Sequence, residues 1–333
     1  MLDLLGGDGL LGCGGLSGGL ALATMTDTTF EVSGGSTNAP EGLYFPRPAT
    51  TTSIVVEDIA MTGVTTYAIR FADVIDPASS VAIRRVSASS TQNGITFEAA
   101  QFNPTISITD TTMTTTGGSA EPALNFLAAL TGGGGALTIG GSFTSALTDA
   151  VQFAASADVK MTLTGTFSGA VNGVHFSTAM SGAAVTFSNA AVTATGGSAI
   201  LFASTVGSST ISLNRVTASS TAGGDALMFT GLVTNTAVSV TGGSYTSVAG
   251  SGISFFAGVS GGTTAVTGAT LTADNSATSD HGFLMATASG GDITLRDIKC
   301  TNGFVCLSFL GATFANTKLT IVGADLQPTH ASG

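Results

Sequence analysis

The residues of this chain best suited to acid–base chemistry crowd into one stretch: Asp280-His281-Gly282, followed by Asp292, Arg296, Asp297 and Lys299. Hydrolysis of a glycosidic bond needs two carboxyl groups about 5–9.5 Å apart, and a neighbouring His or Lys can move a proton. The carboxylates further upstream, Asp58, Asp110, Asp158 and Asp225, each stand alone. The reading adopted is that these groups are corner and edge charges of a sparsely charged chain. It assigns no catalytic, cofactor-binding or metal-binding residue, and glycan cleavage by the Asp280–Lys299 stretch is the alternative. His175 occupies an outward slot shared elsewhere by Arg70, Thr96, Asn125 and Gln152, and reads as a surface residue. There is no calcium-binding Gly-Asp repeat, P-loop or Ser-centred elbow, and the glycines at 132–135 read as a loop.

The three cysteines match no zinc spacing. Cys300 and Cys306 read first as two small buried residues, with a local bridge between them as the alternative. Cys13 closes Leu10-Leu11-Gly12-Cys13, the pattern of a lipoprotein cleavage box. Asp3 and Asp8 stand where a leader would carry basic residues, so lipidation is not expected.

Charge narrows the partners. Nine Lys and Arg against 20 Asp and Glu give a net charge of −11, the opposite of the basic stripe that nucleic acid demands. Anionic membrane surfaces are disfavoured for the same reason. Although 43% of residues are hydrophobic, no run approaches the ~20 apolar residues of a spanning helix, so membrane insertion is not expected.

What must position these residues is a repeat. A small residue, an aliphatic, any residue and a Phe recur as Gly42-Leu43-Tyr44-Phe45, Ala68-Ile69-Arg70-Phe71, Gly94-Ile95-Thr96-Phe97, Ala123-Leu124-Asn125-Phe126 and Ala150-Val151-Gln152-Phe153. The phrase continues as Gly173-Val174-His175-Phe176, Ala199-Ile200-Leu201-Phe202, Ala226-Leu227-Met228-Phe229 and Gly252-Ile253-Ser254-Phe255. It closes with Gly282-Phe283-Leu284-Met285 and Cys306-Leu307-Ser308-Phe309, at intervals of 23 to 30 residues. Between copies lies a second phrase of two aliphatics with one residue between, as in Val238-Ser239-Val240 leading to Tyr245. Period-2 alternation marks strands, and no stretch shows the 3.6-residue stripe of a helix. Propeller blades need about 40 residues or more.

The fold expected from the repeat is all-β, a single chain of stacked parallel strands (β-solenoid) of about 12 coils of roughly 26 residues. Residues 1–18 form an irregular lead-in or cap, 19–326 the β-helix and 327–333 a C-terminal tail. The Gly pairs at 117–118, 196–197 and 223–224 are expected at sharp corners, often at positive φ. In register, the Phe series faces inward as the core. Two outward columns then remain. One is a Ser/Thr face, Thr138, Thr162, Thr186, Ser212, Ser239, Thr294 and Thr320, preceded by Ser107. The other is apolar, Leu201, Met228 and Leu284 around Ser254, a possible lateral interface.

The Gly-Gly phrases of residues 196–202 and 223–229 resemble repeats of autotransporter passengers, nearest in style to the polymorphic outer-membrane proteins of chlamydiae. Their companion Phe-x-x-Asn phrase is absent here. The Thr/Ser/Val style is also similar to the kinetoplastid dispersed gene family, and the whole resembles the right-handed parallel β-helix superfamily over residues 20–326. That resemblance implies a single-stranded right-handed parallel β-helix and an extracellular or cell-surface protein; the reading adopted from the residues is a structural or adhesive protein with no cofactor. Its partners would be other copies, in a homo-oligomer or an end-to-end filament, or surface glycans. The superfamily also holds pectin-cleaving enzymes, and Asp280-His281-Gly282 with Arg296-Asp297-Ile298-Lys299 echoes polygalacturonase phrases. A third reading, ice or surface binding, follows from the Ser/Thr ladder, because regularly spaced hydroxyls can order water.

Overall fold

The computed structural model describes residues 42–327 apart from 47, 51, 119–120, 274–280, 302–304 and 312–313, and, before residue 42, the backbone of strands alone. Cys13 and Asp280 lie outside the described residues. The described chain is strand, turn and bend, with no helix and hence none long and apolar enough to cross a membrane. It is a β-solenoid of parallel coils about 26 residues apart, and two compact units, Met1–Ser168 and Gly169–Gly333, divide it.

In the first unit the Phe phrases form the strands Leu43–Phe45, Tyr67–Phe71, Asn93–Phe97, Leu124–Phe126 and Val151–Phe153. Each pairs in parallel with the next, so that Phe45, Phe71, Phe97, Phe126 and Phe153 share one column. Their rings stack at 4.6, 4.7, 4.8 and 5.1 Å, as like side chains must when strands repeat at about 4.8 Å. Earlier in the chain, Leu20–Leu22 pairs in parallel with the Leu43 strand, and Leu2–Leu4 with Leu20–Leu22.

The second unit repeats the arrangement with Val174–Phe176, Ile200–Phe202, Leu227–Phe229, Ile253–Phe255, His281–Met285 and Val305–Phe309. Phe176, Phe202, Phe229 and Phe255 stack at 4.6 to 4.8 Å within 3° of coplanar. At the next level Met285 takes the Phe position, and Phe283, from the aliphatic column, meets Phe255 and Phe309 at 6.0 Å with its ring tilted by about half a right angle.

The remaining faces of each coil come from the second phrase and from the step that follows it. One residue in the left-handed region turns the chain between them: Asp58, Arg85 and Asp110 in the first unit, and Asn189, Arg215, Gly242, Gly268, Asp297 and Gly323 in the second. Asp and Asn tolerate this conformation better than most residues, and Gly adopts it freely. The Gly pairs expected at positive φ are not there: residues 117, 118, 196, 197, 223 and 224 all lie outside that region. Lack of room is the reason for a glycine at three of them. A Cβ on Gly117 would sit 1.7 Å from the Thr91 carbonyl oxygen, one on Gly197 2.6 Å from Asn172 Oδ1, and one on Gly224 2.4 Å from the Gly197 backbone.

The core is continuous down each unit. One coil escapes the aliphatic pattern: Thr264, 3% exposed, occupies the inward column between Val238 and Ile293. Tyr245 is fully buried between Ala218 and Leu271, and its hydroxyl has no hydrogen-bond partner. Burial alone pushes its pKa well above the usual phenol range. A buried hydroxyl without a partner costs about 1–3 kcal/mol. Tyr245→Phe is therefore expected to raise stability by about 1 kcal/mol, measured by chemical denaturation against the parent.

Candidate functional site

The carboxylates that could do chemistry are fastened into the coil. Asp58 and Asp297 are left-handed corner residues. Asp58 receives a forked pair of hydrogen bonds from Arg85, Nε to Oδ1 at 2.7 Å and Nη2 to Oδ2 at 2.8 Å. Arg85 Nη2 also donates to Glu57 at 2.8 Å, and Arg84 Nε donates to the same oxygen. These hydrogen bonds, Arg84's to Glu57 and Arg85's to Asp58, hold both carboxyls below their usual range. The cluster is solvent-facing, where such pairs contribute little to stability.

Asp225 is the buried case. Its Oδ1 accepts the Ser251 backbone N–H at 2.5 Å, and its Oδ2 accepts the Ser254 hydroxyl. The same column continues one coil at a time. Asp225 N–H donates to Ser198 Oγ at 3.1 Å, and Ser198 N–H donates to Asn172 Oδ1 at 2.9 Å. Asn172, Ser198, Asp225 and Ser251 are 5, 3, 9 and 2% exposed, and each of the first three side chains accepts the backbone donor of the coil that follows. Sequence reasoning left this ladder unread. Its signal was a polar residue immediately before the small-aliphatic-x-Phe phrase, visible once the copies are aligned. A second corner runs the other way, each side chain accepting from the coil before it: Ser209 Oγ accepts Ala183 N–H at 3.2 Å and Thr236 Oγ1 accepts Ser209 N–H at 3.3 Å.

His281, Asp292 and Lys299, members of the cluster in the alternative reading, stand on different strands. His281 is 7% exposed in the ladder strand. Asp292 and Arg296 stand on a different strand, Ala288–Arg296, and Lys299 on a third. In register, Asp292 faces Thr263 and Lys318, while Lys299 faces Thr270 and Asp325. Among the described residues no group of three His, Cys, Asp or Glu could hold a metal ion.

The Ser/Thr face is in register within the second unit. Thr186, Ser212, Ser239, Ala265, Thr294 and Thr320 follow one another across parallel strands, every Ser and Thr among them partly exposed. On one side runs Ala184, Thr210, Ala237, Thr263, Asp292 and Lys318, and on the other Ser188, Asn214, Thr241, Thr267, Arg296 and Val322. In the first unit the column reads Val55, Ala82, Ser107 and Thr138, with Thr162 on Lys160–Gly169.

The expected apolar column needs correction. His175, Leu201, Met228, Ser254, Leu284 and Ser308 are in register, but Leu284 is only 7% exposed and Ser254 is fully buried. Neighbours at strand spacing screen one another, so no contiguous exposed patch forms. Leu201 and Met228 remain partly exposed, with Met228 Sδ accepting the Ser198 hydroxyl at 3.5 Å. In the first unit the corresponding column runs Tyr44, Arg70, Thr96, Asn125 and Gln152, and the Arg70 guanidinium lies 4.9 Å from the Tyr44 ring centre and 4.7 Å from that of Tyr67. It donates Nε and Nη2 to the two Glu98 oxygens at 2.8 and 2.9 Å.

Burial raises the pKa of Glu121. An acid whose folded pKa is raised binds more protons folded than unfolded, so its contribution to stability falls as pH rises through the carboxylate range. Glu121→Gln is therefore expected to raise the thermal midpoint at neutral pH and to leave it unchanged near about pH 3, which paired melts would show.

The bridge alternative is realised: Cys300 and Cys306 form a disulfide with a Cα–Cα distance of 5.7 Å. Comparison with known proteins adds no relative: no family model, no curated protein and no solved structure matches this chain.

Proposed function

We propose that this chain is a non-enzymatic structural protein of the extracellular space or cell surface, a β-solenoid building block that offers its Ser/Thr face to another chain or to a glycan. The observation that carries this reading is the employment of its carboxylates. Asp58 and Asp297 turn corners and Asp225 ties one coil to the next, while the outward column of the second unit is a run of small hydroxyls broken at Ala265. The Cys300–Cys306 bridge supports an oxidising compartment. A face that repeats once per coil binds through many weak contacts, where multivalency supplies the avidity.

The test is a glycan array combined with negative-stain imaging of the purified protein. Binding, or ordered association of copies, that is lost in Ser239→Lys with the fold intact is the expected result. Polysaccharide cleavage abolished by Asp297→Asn would replace this reading with the enzymatic one. Thermal hysteresis would replace it with ice binding, for which the in-register hydroxyls are the supporting observation and Ala265, Asp292 and Arg296 are the interruptions.

A further inference from the structure

The bridge sits where the second unit changes character. Cys300 lies in the inward column that runs Leu271, Cys300, Leu326, and Cys306 follows Val305 at the start of the ladder strand Val305–Phe309. The two are 0% and 6% exposed. In the coil that carries Cys300 the core is closed: Ile293 and Leu295 are 1% and 0% exposed. Their in-register partners in the following coil, Leu319 and Ile321, are each 42% exposed, as is Leu326, the partner of Cys300. The strands Phe314–Val322 and Asp325–Gln327 thus rest on the bridged coil with half-packed inward residues. Space for the bridge comes from Gly282, where a Cβ would lie 2.6 Å from Cys300 Sγ and 2.8 Å from the Cys306 carbonyl oxygen.

We propose that Cys300–Cys306 is a local redox latch. Oxidised, it pins Lys299–Thr301 to Val305–Phe309 across the core and thereby holds the strands Phe314–Val322 and Asp325–Gln327 in register. Reduced, those strands loosen while the coils before them keep their order. The chemistry is exchange with a dithiol: one thiolate attacks a sulfur of the bridge, the mixed disulfide resolves, and the S–S bond is replaced by two cysteine thiols. The dithiol gives up two electrons and two protons and leaves as its own disulfide. The confinement follows from sequence separation, since the bridged residues are 6 apart. A loop this short constrains the unfolded chain less than a long one would, so the loss is expected beside the bridge, in the strands that follow Val305–Phe309.

Hydrogen exchange read by mass spectrometry, with and without dithiothreitol, tests the latch. Reduction is expected to speed exchange of Val305–Phe309 and Phe314–Gln327 by about tenfold or more, a local-opening effect, and to leave Thr210–Asn214 and Ala237–Thr241 unchanged. The Cys300→Ala, Cys306→Ala double variant should reproduce the reduced pattern and ignore the reagent. Should that variant fail to fold, the reduced and alkylated parent carries the same comparison. Gly282→Ala should impair bridge formation, counted as free thiols. Exchange that is unaltered by reduction, exchange that rises throughout the unit, or a bridge that the dithiol cannot open in the folded protein would each overturn the proposal.

Discussion

Phe202→Ala is expected to lose about 3–5 kcal/mol of stability, the range for removing a buried aromatic ring. The ring is 1% exposed and lies between Phe176 at 4.7 Å and Phe229 at 4.6 Å, each within 3° of coplanar. Truncation therefore removes two stacking contacts along with the buried area. Parallel strands above and below fix the backbone through paired hydrogen bonds, so the coil cannot collapse into the space. Phe202→Leu should recover part of the loss, because most of the volume returns while the stacking does not. Denaturant titration, paired with hydrogen exchange of Ile200–Phe202 and its two neighbouring strands, reads both variants. A loss below about 1 kcal/mol, the level of a surface substitution, would place this column outside the core.

Gly94→Ala is the second large effect, and its sign separates the structure from the repeat pattern. The pattern puts Gly94 in a column where Ala68 and Ala123 also stand, and its φ is not positive. On that basis the change would stabilise by about 0.4–1 kcal/mol through the unfolded chain. The geometry reverses this expectation. A Cβ on Gly94 would lie 1.9 Å from the Ala123 carbonyl oxygen and 2.8 Å from Met113 Cγ. The first obstacle is backbone, held by the Ile95 N–H at 2.9 Å, so relief requires the two coils to separate. Overpacking of this kind costs about 3 kcal/mol. Gly94→Ala melting at or above the parent would contradict the proposed approach of these coils.

The ladder of Phe45 to Phe153 and that of Phe176 to Phe309 were legible because a period-2 alternation repeated many times fixes which face is buried. The Ser/Thr column was legible for the same reason: once Ile211 and Leu213 point inward, Ser212 points outward. Residues whose role depends on three-dimensional approach were not. The bridge could not be chosen from spacing, since it depends on a Cα–Cα distance that a corner of unknown shape determines. Thr264 broke the aliphatic alternation of its coil, yet its methyl and hydroxyl fit the inward column between Val238 and Ile293. Arg85 and Arg215 adopt the left-handed conformation although neither is a residue that favours it, because the stacked corner imposes that turn on whatever residue arrives there. Burial of Leu284 was missed because alternation gives the direction of a side chain and not how closely its column neighbours screen it. Asp225 looked isolated along the chain, and its partners Ser251 and Ser254 come from the following coil.

Asp225 also gives the most direct test of the view that the polar side chains fasten the coils together and do no chemistry. The measurement is denaturant stability of Asp225→Ala beside Asp225→Asn. Loss of the carboxylate leaves the Ser251 N–H and the Ser254 hydroxyl buried without their acceptor, expected to cost about 2 kcal/mol, and Asn, which keeps one acceptor oxygen, should restore part of it. An Asp225→Ala protein as stable as the parent would contradict the account, since a carboxylate buried at this corner and not needed to hold it would have to be there for some other purpose.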